Sequence, residues 1–212
     1  MKNKPDKKVI VFSAHPDDLE IGCAGTCYKF QNQGYDILSI VTIKPSEEDN
    51  PSRSKKIVEE EFKKSYQKSK FRLKTFDTDT HNNGRPNLQV DNITMQKLGK
   101  LVEEAEIAIL PSPDDYHQDH RNTFYLIYPL VRKIKTIWCM HSYPYSLHYK
   151  NITPNCFVDI TDYWKRKKTL LECYPSALSD DDIDNIRKIN SYYGCHTSTD
   201  YAEAFSILKN NV

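Results

Sequence analysis

Five short apolar runs, at Val9–Ser13, Asp36–Ile43, Arg72–Phe76, Ile107–Leu110 and Thr136–Met140, are separated by four segments patterned for helix. The helical segments are Leu19–Gln33, Ser54–Lys70, Gln96–Glu104 and Arg121–Lys133. Strands that alternate with helices return to the same edge each time, so they run parallel in one sheet. Val9–Ser13 is continuously apolar rather than alternating, which predicts a strand covered on both faces. Asp18 is suited to cap the first helix and Gly34 to end it. Asp77–Asn87, with Asn83-Gly84 and Pro86, reads as a loop or turn.

The last third changes character. A connection rich in Tyr and Pro leads to a short apolar run, Cys156–Ile160, and then to helical stretches over Asp162–Cys173, Asp180–Tyr193 and Tyr201–Lys209. The chain shows no internal repeat, low-complexity tract or linker, which predicts a single domain over residues 1–212. The expected fold is α/β: a Rossmann-like, doubly wound, mostly parallel sheet with helices on both faces and a helical C-terminal extension.

With 212 residues the chain is long enough for one substantial core, and 14 Tyr, 8 Phe and 2 Trp supply large side chains to fill it. Lys and Arg number 30 against 29 Asp and Glu, so no bulk charge draws the protein to nucleic acid or an anionic membrane. MKNKPDKK is basic, but the apolar run after it is too short for a secretory segment or a membrane span. Six cysteines without a C-x-x-C pair read as reduced thiols of a cytoplasmic protein, so the sequons at Asn92 and Asn151 are expected to stay unmodified. Whether copies assemble into a homo-oligomer is left open.

The first apolar run ends in Ser13-Ala14-His15-Pro16-Asp17-Asp18, and the fourth is followed by Asp114-Asp115-Tyr116-His117-Gln118-Asp119-His120. In an open parallel sheet, ligands bind outside the carboxyl ends of the strands. If the first and fourth strands are neighbours, the two clusters meet. Imidazoles and carboxylates are costly to gather unless they are solvated, paired or arranged around a cation. His15, Asp18 and His120 form a three-ligand set of the kind a catalytic Zn²⁺ uses. Asp17 then points elsewhere, free to act as a base, and His117 with Asp119 can form a second dyad in which the carboxylate favours the protonated imidazole. Each cluster taken singly also reads as ordinary turn and helix-entry residues; two at one sheet edge favour the metal site. Gly22-x-x-Gly25 lacks phosphate-loop spacing and points to close helix–sheet packing. The basic runs near 53–56 and 165–168 read as solvated helix faces.

AHPDDLEIGCAGT resembles the A-H-P-D-D-x-E-x-G-x-G-G-T signature of LmbE/PIG-L-type N-acetylglucosaminyl deacetylases, and HQDH resembles their H-x-D-H motif. Tyr201-Ala202-Glu203-Ala204-Phe205 is similar to a recurring ending in bacterial members. The resemblance implies a zinc-dependent hydrolase that removes an acetyl group from an N-acetylated amino sugar or N-acetylglucosaminyl conjugate. It implies His15, Asp18 and His120 as metal ligands and Asp17 as general base. It implies that His117 stabilises the oxyanion or protonates the leaving amine, with Asp119 as its partner. Zn²⁺ is the family's usual metal, and Fe²⁺ or another divalent ion also suits two imidazoles and a carboxylate. His81, Arg85, His141 and Tyr143 follow the third and fifth strands and are candidates to line the sugar pocket, each with a plain surface role as the alternative. Ala24 stands where the signature has Gly, Ser176-Ala177 replaces a usual Ser-Gln, the helix Ser54–Lys70 lacks the family's Ala and Leu-Gly pattern, and the expected substrate-contacting Arg is absent. Two rivals remain: a metal-dependent phosphoesterase, for which a two-metal site would want more carboxylates, and a non-catalytic sugar-binding relative, which would not need Asp17, His117 and Asp119.

Overall fold

The computed structural model describes residues 7–43, 54–75, 92–103, 105–145 and 152–211. The strands are β1 (Lys8–Ser13), β2 (Asp36–Val41), β3 (Arg72–Thr75), β4 (Ile107–Leu110), β5 (Thr136–Met140), β6 (Cys156–Asp159) and β7 (Ala202–Asn210). They form one sheet in the order β3-β2-β1-β4-β5-β7-β6. The first five of that order run parallel, and β7 runs antiparallel to both β5 and β6. All of β1 is buried, as its continuous apolar character predicts. Val9 pairs with Ile37 on one side and Ile107 on the other. The chain builds outward from β1 to β3 and then crosses back to β4. Successive connections therefore diverge between β1 and β4, and a crevice opens at their carboxyl ends.

Helices cover both faces. On one lie α1 (Asp18–Gly22), α2 (Ala24–Asn32), α3 (Lys55–Ser69) and α6 (Trp164–Leu171), packed on Val9 and Val11 through Tyr28, Phe62 and Leu170. On the other lie α4 (Asn92–Val102) and α5 (Gln118–Val131), packed on Ile10 and Phe12 through Leu98, Phe124 and Ile127. The alternation of β1 side chains between the two layers follows from the pleat, and each buried apolar side chain contributes about 1.5–3 kcal/mol. The remaining helix, α7 (Asp180–Gly194), packs on β6 and β7 and starts with a capping box between Ser179 and Asp182.

Three expectations change. The first helix is split at Cys23, which leaves helical geometry (φ −151°, ψ 15°), and its N-cap position belongs to Asp17, not Asp18. The split lies between two glycines in close contact, as the motif suggested: a Cβ on Gly22 would lie 2.5 Å from Ser142 Oγ, and one on Gly25 2.7 Å from Ile160. The fifth helix begins at Gln118 rather than Arg121, so His120 sits in its first turn. Tyr201–Lys209, expected as helix, falls from Ala202 onward in the strand β7. Its Ala, Glu, Leu and Lys favour helix locally, but the segment fills the gap between β5 and β6 and satisfies its backbone on both sides. The C-terminal extension is thus helical in α6 and α7 and closes the sheet with β6 and β7. His81, Arg85 and the rest of the loop Asp77–Asn87 fall outside the described residues. No helix among the described residues is long and apolar enough to cross a membrane. All six cysteines are free thiols.

Candidate metal and catalytic site

The two polar clusters meet because β1 and β4 are neighbours. In the first, Asp18 Oδ2 accepts the N–H groups of Ala14 and His15, both at 2.8 Å. That fixes the turn out of β1 and leaves Asp18 Oδ1 facing His120 Nε2 at 3.1 Å and His15 Nδ1 at 3.7 Å. Asp17, its neighbour in sequence, lines the same adjacent cavity from the N-cap position of α1. The neighbouring carboxylates therefore have different surroundings.

In the second cluster Asp115 organises both histidines. Its Oδ1 accepts the His117 N–H at 2.8 Å, and its Oδ2 lies 2.9 Å from His120 Nδ1. A carboxylate on one ring nitrogen aims the other and raises its basicity, the usual support of a metal-binding histidine. His117 is the N-cap residue of α5, and its Nδ1 accepts the Asp119 N–H at 3.2 Å. That bond leaves the proton of the neutral ring on Nε2. The rings of His15 and His117 lie 4.7 Å apart between centroids, and those of His117 and His120 stack at 4.9 Å.

The electrostatics divide the three imidazoles. His120 is raised to about 10: burial opposes its charge, but Asp18 and Asp115 outweigh it. His15 is raised to about 9, burial again being overcome by Asp119 and Asp18. His117 is lowered by burial and by repulsion from His15 and His120. Asp18 is held well below the usual carboxylate range, its burial overcome by His120 and His15. Asp119 is lowered chiefly by its hydrogen bond to His15.

The His117–Asp119 dyad takes a different form from the one expected. The Asp119 carboxylate lies 3.0 Å from His15 Nε2 but 3.9 Å from His117 Nδ1. It is the Asp119 backbone that orients His117, and the ring is pushed toward its neutral form, first by burial and then by the His15 and His120 imidazoles beside it. Asp115 escaped the sequence reading as a site residue. The signal was available, since a carboxylate near a candidate ligand in the same polar loop is a natural partner for that ligand's second nitrogen. Tyr145 also escaped it; its ring stands edge-on to His117 at 5.1 Å and His120 at 6.0 Å.

A cavity of about 410 Å³ opens over His15, Asp17, Asp18, His117 and His120, walled by Tyr143–Tyr145 and Ser176–Leu178. Tyr143 therefore lines it, and its hydroxyl accepts from Asn185 Nδ2 at 3.2 Å. His141 does not line it: the ring is buried, with Nε2 2.7 Å from Ser206 Oγ on β7. The next residue, Ser142, reaches the cavity, as the alternation past the end of β5 dictates. One nitrogen each from His15, His117 and His120 lies within 4.8 Å of the others, with Asp18 Oδ1 beside them. Nitrogen and carboxylate donors so grouped fit a divalent cation of the zinc type.

Residues 10–131, more than half of the chain, match the family model described as PIG-L: GlcNAc-PI de-N-acetylase. The chain belongs to the PIG-L family. The region of this PIG-L chain that matches contains the whole constellation from His15 to His120. Among solved structures it is similar to N,N′-diacetylchitobiose deacetylase from Pyrococcus horikoshii, with TM-score 0.74 and 21% identity over 95% of this chain and 84% of that one. A conserved protein from Thermus thermophilus superposes with TM-score 0.76 and 18% identity, covering 96% of each chain. GalB, the 4-carboxy-2-hydroxymuconate hydratase of Pseudomonas putida KT2440, does so with TM-score 0.74 and 17% identity over 97% of this chain and 98% of that one. These likenesses show a shared LmbE-type fold. Because a hydratase stands among them, the reaction has to be argued from the site.

Proposed function

We propose that this protein is a metal-dependent hydrolase that removes the acetyl group from an N-acetylated amino sugar or N-acetylglucosaminyl conjugate. The observation that carries the reading is the divergence of Asp17 and Asp18. Both line the cavity where a substrate would lie, but Asp18 is pinned by two backbone N–H groups and faces His120 Nε2 at 3.1 Å, whereas Asp17 is the N-cap residue of α1. The family description and the chitobiose deacetylase point to the same chemistry.

His15, Asp18 and His120 would hold the cation, with Zn²⁺ the first choice and Fe²⁺ the second. Each histidine shares its proton with a carboxylate, which a cation would neutralise in the proton's place. His117 differs, because its Nδ1 is engaged by a backbone N–H and its Nε2 keeps a proton to donate. When bound, the ion lowers the pKa of coordinated water toward about 7 and polarises a carbonyl. Asp17 accepts the proton of the attacking water. His117 Nε2–H donates to the carbonyl oxygen as it gains negative charge, an interaction worth about 3 kcal/mol in comparable sites. Asp17 then returns the proton to the departing nitrogen. Asp115 and Asp119 hold the three rings in place. Six free thiols suit a reducing compartment, the cytoplasm.

Acetate release from a panel of N-acetylated sugars, before and after chelation and Zn²⁺ reloading, tests the reading. Release that depends on the metal supports it. Phosphate release from sugar phosphates, or tight sugar binding with no product, would replace it with one of the rivals.

A further inference from the structure

Beneath the cavity floor a buried polar chain joins four parts of the fold, and none of its members Ser65, Glu61, Glu20 and Tyr174 lines the cavity. Ser65 on α3 donates its hydroxyl to Glu20 Oε1 at 2.5 Å. The Tyr174 hydroxyl lies 2.9 Å from the same oxygen and donates to the Pro16 carbonyl at 2.8 Å. One turn before Ser65, Glu61 accepts the N–H and the hydroxyl of Ser176 at 2.8 and 2.6 Å. Tyr174 and Ser176 belong to one turn, closed by the Leu178 N–H on the Tyr174 carbonyl at 2.8 Å. That turn supplies the cavity wall Ser176–Leu178.

Burying two carboxyl groups and two hydroxyls, with Ser176 half-buried beside them, is unfavourable unless each finds a partner, and Glu20 Oε2 finds none among the described residues; apolar side chains of the same shape would serve folding as well. What the polar chain adds is direction. Pro16 stands between His15 and Asp17, and its carbonyl belongs to the peptide plane that leads into Asp17. Asp18 is tied on the far side through its carboxylate. Asp17 thus lies between two fixed points, one of them the Tyr174 hydroxyl.

We propose that Tyr174, backed by Glu20 and Ser65, is a positioning residue that holds the Pro16–Asp17 peptide plane so that the Asp17 carboxylate is presented to the cavity. The same turn sets the substrate wall at a fixed distance from that carboxylate. The inference rests on the reading of Asp17 as the base.

Tyr174→Phe keeps the buried ring and removes only the hydroxyl. It is expected to lower kcat for acetate release roughly tenfold, since small misplacements of a reacting group are costly. KM should stay within about twofold and metal content at the wild-type level, because neither a ligand nor the wall is deleted. Hydrogen exchange over residues 14–22 should quicken while β1 keeps its protection. Ser65→Ala, at the far end of the chain, should show the same pattern more weakly, and it decides the matter if Tyr174→Phe does not fold. Unchanged kcat in both variants of an active enzyme overturns the proposal. So does a fall in kcat accompanied by metal loss or an equal rise in KM, which marks collapse of the site. If the wild type itself releases no acetate, the deacetylase reading fails on its own account. The hold on the loop is then judged by exchange alone, where unchanged rates over 14–22 refute it and faster rates sustain it.

Discussion

Replacing Asp115 with Asn should weaken the metal affinity of the proposed site without touching a ligand. Both oxygens of Asp115 are in use, one on the His117 N–H and the other on His120 Nδ1. Asn offers one oxygen and one NH₂ group, so one of the two bonds must be lost whichever way the amide turns. If the oxygen stays on His117, the NH₂ faces His120 Nδ1 and forces the ring proton onto Nε2, the nitrogen that faces Asp18 at 3.1 Å. If the amide turns over, two donors face each other at the His117 N–H. A hydrogen bond to a charged group contributes about 1.5–3 kcal/mol, which corresponds to about one to two decades in an equilibrium constant. Loss of a carboxylate behind a metal-binding histidine falls in the same range, about 10–100-fold. Competition against a chromophoric chelator measures the Zn²⁺ dissociation constant for both proteins. An Asp115→Asn protein that binds Zn²⁺ within about twofold of wild type would show that His120 needs no such support and that the tautomer argument fails.

Asp17→Asn should retain metal at near wild-type occupancy while kcat falls roughly 10²–10⁴-fold, whereas Asp18→Ala should lose the metal and recover partly with excess Zn²⁺. Metal content and kcat on the two proteins check the assignment, and the reverse pattern would exchange their roles. With His15 raised to about 9 and His120 to about 10, both rings are charged at pH 7 and must give up their protons to a cation. Zn²⁺ titrations in two buffers of different ionisation enthalpy should show about two protons released, and affinity should rise with pH up to about 10. No proton release would contradict the pairing described. The same shifts carry a stability sign in chelator-treated protein. Both pKa values are raised, so the histidine–carboxylate contribution is full below about 6.5 and is lost as pH climbs through 9 to 10. The melting temperature should therefore fall between pH 7 and 10 for that reason, and less steeply in His120→Ala. Gly25→Ala favours helix by local propensity, yet its Cβ would meet Ile160 at 2.7 Å. The variant should lose about 1–3 kcal/mol in denaturant unfolding, and a gain in stability would show that the helix yields more easily than its packing suggests.

What the amino-acid sequence determined by itself was whatever a short window encodes. A continuous apolar run announces a strand with no solvent face, so β1 was legible, and strand–helix alternation made the parallel sheet legible with it. Ile107–Leu110 and Thr136–Met140 have the same bounds in sequence and structure. The turn chemistry of His15–Asp18 and of Asp114–His120 marked both halves of the site, because polar groups at the end of a buried strand need a purpose. The tertiary structure decided who partners whom. Tyr201–Lys209 has helical propensity and from Ala202 onward became β7, since two open ladder edges outweigh a few tenths of a kcal/mol per residue. Asp119 lies two residues from His117 but gives its carboxylate to His15, 104 positions away. Tyr174 reaches the Pro16 carbonyl across 158 positions. Partnerships of this kind depend on which strands lie side by side and which layer each helix covers, and no local periodicity carries that information.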